Sequence, residues 1–362
     1  MEDPKYWNAI NLDPKIGPKR FKLLYNHFRD MEQAFKADFS ELKRAGLEKK
    51  IIEHFMAKRA EVDPDQEMEK LEKEEIRIIT IKDKEYPKRL KEIYNPPGLL
   101  YIRGEFIKED ELALAVVGTR KISSYGKQVT PEIVRDLASS KITIVSGLAL
   151  GVDALAHQSA LEAKGRTIGV LGCGLDRQSI YPSSNRKLAE QIEENGAVIT
   201  EYPIGTLPLK QHFPARNRII AGLALGTLVV EAPETSGALL TARHSLEQNR
   251  DVFAIPGSIY SKTSFGPNNL VKMGAKLVTQ AQDILDELNL NLAVQYQETK
   301  KIAPDTKEEA KLLEYLSKEP VHIDKLVEKS GLDAGTVSSV LTLMEMKGKV
   351  RNLGSMNYVL AR

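Results

Sequence analysis

Cysteine, long apolar runs and a surplus of either charge are all scarce in this sequence. Cys173 is the only cysteine among 362 residues, which excludes a disulfide framework and a zinc or iron–sulfur site built from cysteines. The six histidines are scattered and form no H-x-x-x-H or H-E-x-x-H pair, so we expect no metal site. Lysine and arginine number 52 against 50 aspartates and glutamates, a balance that excludes a protein holding nucleic acid by bulk charge.

Targeting and membrane signals are missing as well. The first ten residues, MEDPKYWNAI, lack the basic and apolar regions of a signal peptide. No run approaches the roughly 18 continuous apolar residues that a membrane span needs. We therefore expect a cytoplasmic protein with no membrane partner. A hydrophobic content of 42% with 28% charged residues is typical of a folded globular chain, here of two or three domains.

Composition divides the chain into three blocks and a linker. Residues 1–75 are rich in lysine and glutamate at helical spacing and predict an all-α domain, whereas residues 76–290 alternate apolar runs with helical stretches. Residues 291–304 predict a linker, and residues 305–362 predict three helices and a terminal hairpin. The segment 81–304 carries 27 cationic against 24 acidic residues, while the flanks balance to within one charge. We therefore expect a local anion-binding surface in the central block.

Seven short apolar runs in the central block predict β-strands. They are continuous rather than alternating, as expected for strands that are covered on both faces. Helical stretches such as 127–139 and 153–163 separate them, which is the pattern of a doubly wound, mostly parallel sheet of the α/β class. The runs cover residues 76–81, 113–118, 142–147, 167–172, 197–200, 227–232 and 252–257.

The turns that follow these strands recur every 25 to 30 residues, which is the size of one βα unit. In an open parallel sheet such turns lie along the carboxyl edge, where ligands bind at the topological switch point. Glycine lets the backbone approach a ligand, and the helix starts offer N–H groups to an anion, so a phosphate-bearing ligand is indicated. Individual glycines can instead serve only as tight turns. The turns start at Gly118, Ser146, Gly172, Glu201, Glu231 and Pro256.

Motifs for nucleoside triphosphates, dinucleotides and esters are absent. The chain has no G-x-x-x-x-G-K-[ST], which leaves a P-loop ATPase unsupported, and no G-x-G-x-x-G, since 169-GVLGCG-174 has the glycines in the wrong order. It also has no G-x-S-x-G, which leaves an esterase unsupported.

The densest cationic motif is 210-KQHFPARNRIIAGLALGT-227. Pro214 suits the first turn of a helix, which places Arg216 and Arg218 near its N-terminus. Arginine and Lys210 can bind phosphate, and Asn217 can hydrogen-bond a backbone oxygen or a base edge.

An aromatic side chain lies within this motif. Phe213 offers a stacking surface worth about 1–3 kcal/mol per base in proteins that bind single strands. Arg120, in the first βα turn, adds a guanidinium on the same edge. In the alternative interpretation Phe213 belongs to the core and Arg218 forms a salt bridge with Glu231.

These blocks together resemble the DprA/Smf family of bacterial DNA-processing proteins. The matching segments are 117-VGTR-120, 146-SGLALGVDALAH-157, 171-LGCGLDRQSIYP-182, 213-FPARNRIIAGL-223, 229-VVEAPETSGALLTA-242 and 252-VFAIPG-257. The resemblance covers residues 76–290 and implies an extended Rossmann-like domain there. It also implies a helical, SAM-like or helix–hairpin–helix domain over residues 1–75 and a winged helix over residues 305–362.

The resemblance further implies a function without covalent chemistry. Members of the family bind single-stranded DNA, protect incoming strands during natural transformation and load the RecA recombinase onto them. They dimerise through the central sheet domain, which implies a homodimer here. The single-strand contacts that the resemblance implies are Gly118, Arg120, Ser146, Gly147, Lys210, Phe213, Arg216, Asn217 and Arg218.

The flanking domains carry weaker signals. Residues 12–28 and 39–55 resemble paired helix–hairpin–helix units, whose backbone N–H groups can contact DNA phosphate. The cations available to help there are Lys15, Lys19, Arg20 and Lys22.

The C-terminal block has helix–turn–helix organisation, with a turn at Gly331 and residues 334–348 in the recognition position. A duplex reader usually carries several basic or amide side chains, whereas the exposed residues here include one lysine and no amide, so we expect protein contact or weak strand contact. These residues are Thr336, Ser338, Ser339, Thr342, Glu345 and Lys347.

An enzyme is the alternative class of function. The nucleotide phosphoribohydrolases of the lysine-decarboxylase-like family have a related sheet and a P-G-G-x-G-T-x-x-E motif with a catalytic glutamate. Residues 222–231, GLALGTLVVE, break the first glycine pair and place Glu231 one residue late, which disfavours this activity. His157 has no partner carboxylate or nucleophile nearby in sequence, so we expect it to pack or cap. The sequence therefore favours a binding protein with no cofactor.

Overall fold

A computed structural model describes residues 3–290, 304–317, 321–347, 349–352, 354 and 356–360. The chain folds into two compact units, Met1–Ile284 and Leu285–Arg362. The predicted linker lies outside the described residues except for its last position, residue 304. The four-part division of the chain into domains stays a prediction.

Six short helices form the N-terminal part of the first unit. Aspartates begin four of them, because each side chain accepts a backbone N–H that has no partner within the helix. Their apolar faces share one core with the sheet, and the Tyr101 hydroxyl donates to Asn8 Oδ1 at 2.6 Å. The helices are α1 (Pro4–Asn11), α2 (Pro18–His27), α3 (Met31–Lys36), α4 (Phe39–Arg44), α5 (Lys49–Arg59) and α6 (Pro64–Lys73).

Nine strands form the sheet of the first unit, and all seven predicted strands are among them. The strands of the middle of the sheet are buried along their whole length, which explains their unbroken apolar sequences. The strands are β1 (Arg77–Thr80), β2 (Leu99–Gly104), β3 (Ala113–Val117), β4 (Thr143–Ser146), β5 (Thr167–Val170), β6 (Gly196–Thr200), β7 (Gly226–Val229), β8 (Asp251–Ala254) and β9 (Lys276–Leu277).

The strand order is β1-β2-β6-β5-β4-β3-β7-β8-β9. Strands β3 to β9 run parallel, whereas β1 and β2 are antiparallel additions at one edge. The chain moves from β3 through β4, β5 and β6 in one direction and then returns to place β7 on the other side of β3. This confirms the doubly wound, mostly parallel sheet and puts the topological switch point at β3.

Helices pack against both faces of the sheet, and those that follow the central parallel strands start at its carboxyl edge. The helices of this part of the chain are α7 (Lys88–Lys91), α8 (Ser124–Ser139), α9 (Val152–Glu162), α10 (Arg186–Glu194), α11 (His212–Leu223), α12 (Gly237–Glu247), α13 (Phe265–Lys272) and α14 (Ala281–Glu287). Single 3-10 turns lie at residues 108–111, 183–185 and 262–264.

The second unit confirms the predicted winged helix. Gly331 ends its second helix with φ +66°, a left-handed conformation that suits glycine, and Asp333 caps the recognition helix. The three strands pair antiparallel in the order β10-β12-β11. The elements are α15 (Lys307–Leu313), β10 (Val321–His322), α16 (Ile323–Ser330), α17 (Ala334–Met346), β11 (Val350–Asn352) and β12 (Asn357–Leu360).

Over the described residues, none of the helices is both long enough and apolar enough to traverse a lipid bilayer.

Candidate nucleic-acid interface

A cavity of about 690 Å³ opens at the carboxyl edge of the sheet, beside the switch point. We call it the carboxyl-edge cavity. Its walls come from the turn after β3, the loop after β4, residues 208–217 and the turn between β7 and α12. Helices α9, α11 and α12 begin at this edge, so their N-termini favour an anionic ligand.

The structure brings most of the predicted contact residues together. Gly118, Arg120, Lys210, Phe213, Arg216 and Asn217 line the carboxyl-edge cavity. Gly147 lines a small adjoining pocket that shares Arg120 and Phe213 with it. Ser146 and Arg218 line neither of these two spaces.

Aromatic rings and guanidinium groups lie side by side in the cavity wall. The Arg120 guanidinium lies 5.1 Å from the centre of the Phe213 ring, and that of Arg216 lies 5.9 Å from the same ring. The Tyr181 ring is tilted against Phe213 at a centroid distance of 6.1 Å and is 46% exposed. Arg120 and Lys210 are exposed, so their charges are free to meet a ligand.

Arg216 forms part of the cavity floor and is only 4% exposed. Its Nη1 donates to the backbone carbonyls of Gly147, at 2.6 Å, and of Val170, so it joins the ends of β4 and β5. A Cβ at Gly147 would lie 2.5 Å from the Arg216 guanidinium, which explains why glycine follows β4. Burial lowers the pKa of Arg216, and the charge of Asp153 opposes that change.

Asp153 is a buried carboxylate in the same floor. Its Oδ2 accepts the backbone N–H of Gly147 at 3.2 Å. Burial raises the pKa of Asp153, whereas the positive charge of Arg216 acts in the opposite direction. The two side chains therefore depend on each other for their charged states.

Asn217 does not present a free amide to the cavity. Its Nδ2 donates to the Gly237 carbonyl at 3.2 Å, and its Oδ1 accepts from Arg216 Nε at 3.2 Å. The side chain thus ties α11 to the start of α12 and holds the guanidinium, which leaves it poorly placed to read a base edge.

Ser146 and Arg218 have structural roles that the sequence did not reveal. Ser146 is fully buried, and its Oγ donates to the Val116 carbonyl at 2.6 Å. Both terminal nitrogens of Arg218 bond the two carboxylate oxygens of Glu201, each at 2.6 Å, so the predicted alternative pairing with Glu231 is wrong. Neither side chain is therefore free to contact a DNA strand in the carboxyl-edge cavity.

Glu231 holds the turn after β3 in place. Its carboxylate accepts from the backbone N–H and the hydroxyl of Ser123, at 2.9 and 2.6 Å, and from the Thr263 hydroxyl at 2.7 Å. The side chain is 2% exposed and does not line the carboxyl-edge cavity. These hydrogen bonds explain why a glutamate follows β7, and they require no catalytic role for it.

Replacing Glu231 with glutamine is expected to reduce stability. The new amide would turn an N–H donor toward one of the donors that the carboxylate now satisfies, which costs about 1–3 kcal/mol of unfolding free energy. Urea denaturation measures this change, with the exposed Glu234→Gln as the matched control. Equal stability of the two variants would contradict the structural role.

His157 packs against the sheet instead of facing the cavity. The Thr167 hydroxyl donates its only hydrogen to the Ile144 carbonyl at 2.8 Å, so it accepts from His157 Nδ1 at 2.6 Å. Nδ1 therefore carries a proton, and Nε2 is buried without a hydrogen-bond partner among the described residues. The ring is neutral because burial lowers the pKa of His157 to about 3. This geometry agrees with the predicted packing role.

Some cavity residues were not predicted from the sequence. Tyr181 and Pro208 lie in loops without a periodic pattern, and Ser236 and Gly237 form the cap of α12. The only available signal was the position of Tyr181 at the end of the block 171-LGCGLDRQSIYP-182.

The predicted helper cations of the N-terminal helices lie outside the carboxyl-edge cavity. Arg20 pairs with Glu48 at 3.0 Å, and Lys19 lies 5.7 Å from the Tyr94 ring centre. In the winged helix, Lys347 pairs with Asp305 at 2.7 Å rather than extending freely.

Comparison with known proteins identifies the family. The profile of DNA recombination-mediator protein A matches residues 77–289, and that of the DprA winged helix domain matches residues 297–355. Protein Smf of Synechocystis is 35% identical over 98% of both chains, and the DNA processing protein DprA of Bacillus subtilis is 44% identical over 59% of this chain and 71% of its own.

Solved structures agree with this assignment. DNA processing protein A of Streptococcus pneumoniae superposes with a TM-score of 0.69 at 36% identity and covers 79% of this chain and 99% of its own. The protein from Helicobacter pylori gives a TM-score of 0.53 at 32% identity, covering 59% of this chain and 97% of its own. The chain therefore belongs to the DprA/Smf family of DNA-processing proteins.

Proposed function

We propose that this protein binds single-stranded DNA in the carboxyl-edge cavity. The observation that carries the proposal is the exposed Arg120 guanidinium over the Phe213 ring, with Tyr181 beside them. The relative from Helicobacter pylori, whose structure was described for its single-stranded DNA binding mode, supports this choice of ligand.

The chemistry of the wall favours a single strand over a duplex. An unstacked base can lie on Phe213 or Tyr181, whereas paired bases hide their faces within the stack. Arg120 and Lys210 supply charges for adjacent phosphates, and the helix starts supply a positive potential. Because the Asn217 amide is already bonded, binding is expected to be largely independent of sequence.

The wider role that we propose is the one that the family resemblance implies. Protection of incoming strands, loading of RecA and a cytoplasmic place in natural transformation are all part of the proposal, with no covalent step.

A homodimer is also proposed. Exposed apolar side chains around the β9 edge support it, because an open strand edge with apolar neighbours favours association. They are Ile259, Tyr260, Phe265, Met273 and Leu277.

Replacing Arg120 with alanine should weaken the binding of labelled oligo-dT and flatten its salt dependence by about one unit on a log–log plot. The loss is expected because one phosphate contact disappears. Fluorescence anisotropy at several salt concentrations measures both effects. Lys164→Ala removes an equal charge at an exposed position after α9 and is the matched control.

Wild-type protein is expected to bind oligo-dT well and duplex of equal length poorly in the same assay. Equal affinity for both, or an Arg120→Ala variant that behaves like the control, would contradict the proposed function.

A further inference from the structure

A second cavity, of about 590 Å³, lies at the opposite edge of the sheet. We call it the amino-edge pocket. Leu223, the last residue of α11, lines it, whereas the start of the same helix lines the carboxyl-edge cavity. A helix of 12 residues separates the two spaces by about 18 Å. Residues 84–92 and 106–111 and the side chain of Arg250 complete the walls.

Two of the acidic residues that line the pocket are paired with arginines outside it. Both oxygens of Asp110 accept from Arg166, each at 3.0 Å. Glu85 pairs with Arg77 at 3.4 Å. Neither arginine lines the pocket, so these carboxylates are neutralised without use of a pocket cation.

The remaining carboxylates account for only two of the pocket cations. Glu111 lies 3.7 Å from Lys88, and Glu92 lies 3.8 Å from Arg250. Three lining cations thus have no carboxylate within ion-pair distance among the described residues, namely Lys84, Arg89 and Lys108. The pocket therefore holds a local surplus of positive charge although the whole chain is nearly neutral.

Two guanidinium groups in this pocket keep unused donors. Arg89 donates one bond, from Nη1 to the Glu111 carbonyl at 2.6 Å. Burial and the neighbouring charge of Arg250 both lower the pKa of Arg89. The Nε of Arg250 is buried and has no hydrogen-bond partner in the part of the chain that the structure describes. Buried donors normally find partners, so a bound anion is the natural acceptor.

Apolar groups form the rest of the lining. Pro87, Phe106 and Ile107 face the same space, and its volume is in the range of small-molecule sites. A bare phosphate ion would leave most of this volume empty. A ligand that joins a phosphate to a flat aromatic ring fits both parts of the wall, because the face of such a ring can pack against Phe106.

We propose that the amino-edge pocket binds a small phosphate-bearing ligand of nucleotide size. Its phosphate lies between Arg89 and Arg250, and its ring lies against Phe106 and Pro87. This site is separate from the proposed DNA site and does not depend on it.

Isothermal titration calorimetry of the full-length protein with AMP, inorganic phosphate and adenosine tests the proposal. AMP should bind more tightly than phosphate, and adenosine, which lacks the phosphate, should not bind. Arg89→Gln should weaken AMP binding about tenfold because it removes a contact to the phosphate. The exposed Lys108→Gln should weaken it by a smaller factor, because it removes an unpaired positive charge from the pocket wall. Lys91→Gln, on α7 but outside the pocket, should leave it unchanged.

Several results would overturn this assignment. They are AMP binding that persists in both pocket variants, binding that Arg120→Ala abolishes, binding of phosphate with exclusion of AMP, and absence of AMP binding to the wild-type protein at millimolar concentration. Oligo-dT affinity of the Lys108→Gln variant should equal that of the wild type, which distinguishes failure here from failure of the proposed DNA site.

Discussion

Replacing Arg216 with alanine is expected to lower the free energy of unfolding by about 3–5 kcal/mol. The substitution removes the guanidinium that joins the carbonyls of Gly147 and Val170. It also leaves the buried Asp153 carboxylate without its nearby positive charge. Chemical denaturation measures the loss, and Arg216→Lys should fall between the wild type and the alanine variant because it keeps the charge without the planar fork.

The pH dependence of the unfolding free energy is a second readout for the Arg216→Ala variant. Without Arg216 the pKa of Asp153 should rise further, so the folded variant takes up a proton more readily than the unfolded chain. The stability deficit should therefore shrink as the pH falls through that raised pKa. Arg243→Ala, which removes an exposed arginine from α12, should cost less than about 1 kcal/mol. A similar small cost for Arg216→Ala would contradict the account of the cavity floor.

Acid is expected to destabilise the wild-type protein through His157. Burial, aided by the charge of Arg216, lowers the pKa of this imidazole from 6.5 to about 3. Between these two pH values His157 is therefore protonated in the unfolded chain but neutral in the folded chain. Stability should fall by up to about 1.4 kcal/mol per pH unit as the pH drops below 6.5.

Urea unfolding at successive pH values isolates this contribution when the wild type is compared with His157→Gln. Other acidic groups titrate in both proteins, so the difference between the two curves reports the imidazole alone. The difference in unfolding free energy between the wild type and His157→Gln should decrease steadily as the pH falls from 6.5. Parallel curves would show that His157 is protonated as easily in the folded chain as in the unfolded one.

The sequence predicted the central sheet well because its strands are buried on both faces. Runs such as 113-ALAVVG-118 leave few alternatives to a covered parallel strand. Strand β2 joins the sheet antiparallel without a βα unit, and β9 is two exposed residues long, so neither fitted the pattern that identified the others. Pro214 lies in the first turn of α11, as predicted.

The site was predicted less completely because side-chain direction is not visible in sequence spacing. Arg216 and Arg218 are two positions apart on one helix and therefore point to different sides, so one reaches the cavity floor and the other reaches Glu201. Ser146 lies in a strand whose residues are all buried between the helical layers. Tyr181 was missed because a loop has no period that predicts which way its side chain faces.

Charge patterning illustrates the same limit. The nearly zero net charge of the chain gave no sign of two surfaces with local positive charge, one at each edge of the sheet. Counting charges by blocks located the positive surplus in residues 81–304, but only the ion pairs of individual carboxylates show which cations remain available.

Ultraviolet cross-linking of oligo-dT to the full-length protein, with the attached peptides identified by mass spectrometry, tests the central claim most directly. A base that lies against the cavity wall should cross-link to peptides that contain Phe213 or Tyr181, and Phe213→Ala together with Arg120→Ala should reduce the yield sharply. Cross-links confined to the winged helix or to the amino-edge pocket would contradict the placement of single-stranded DNA in the carboxyl-edge cavity.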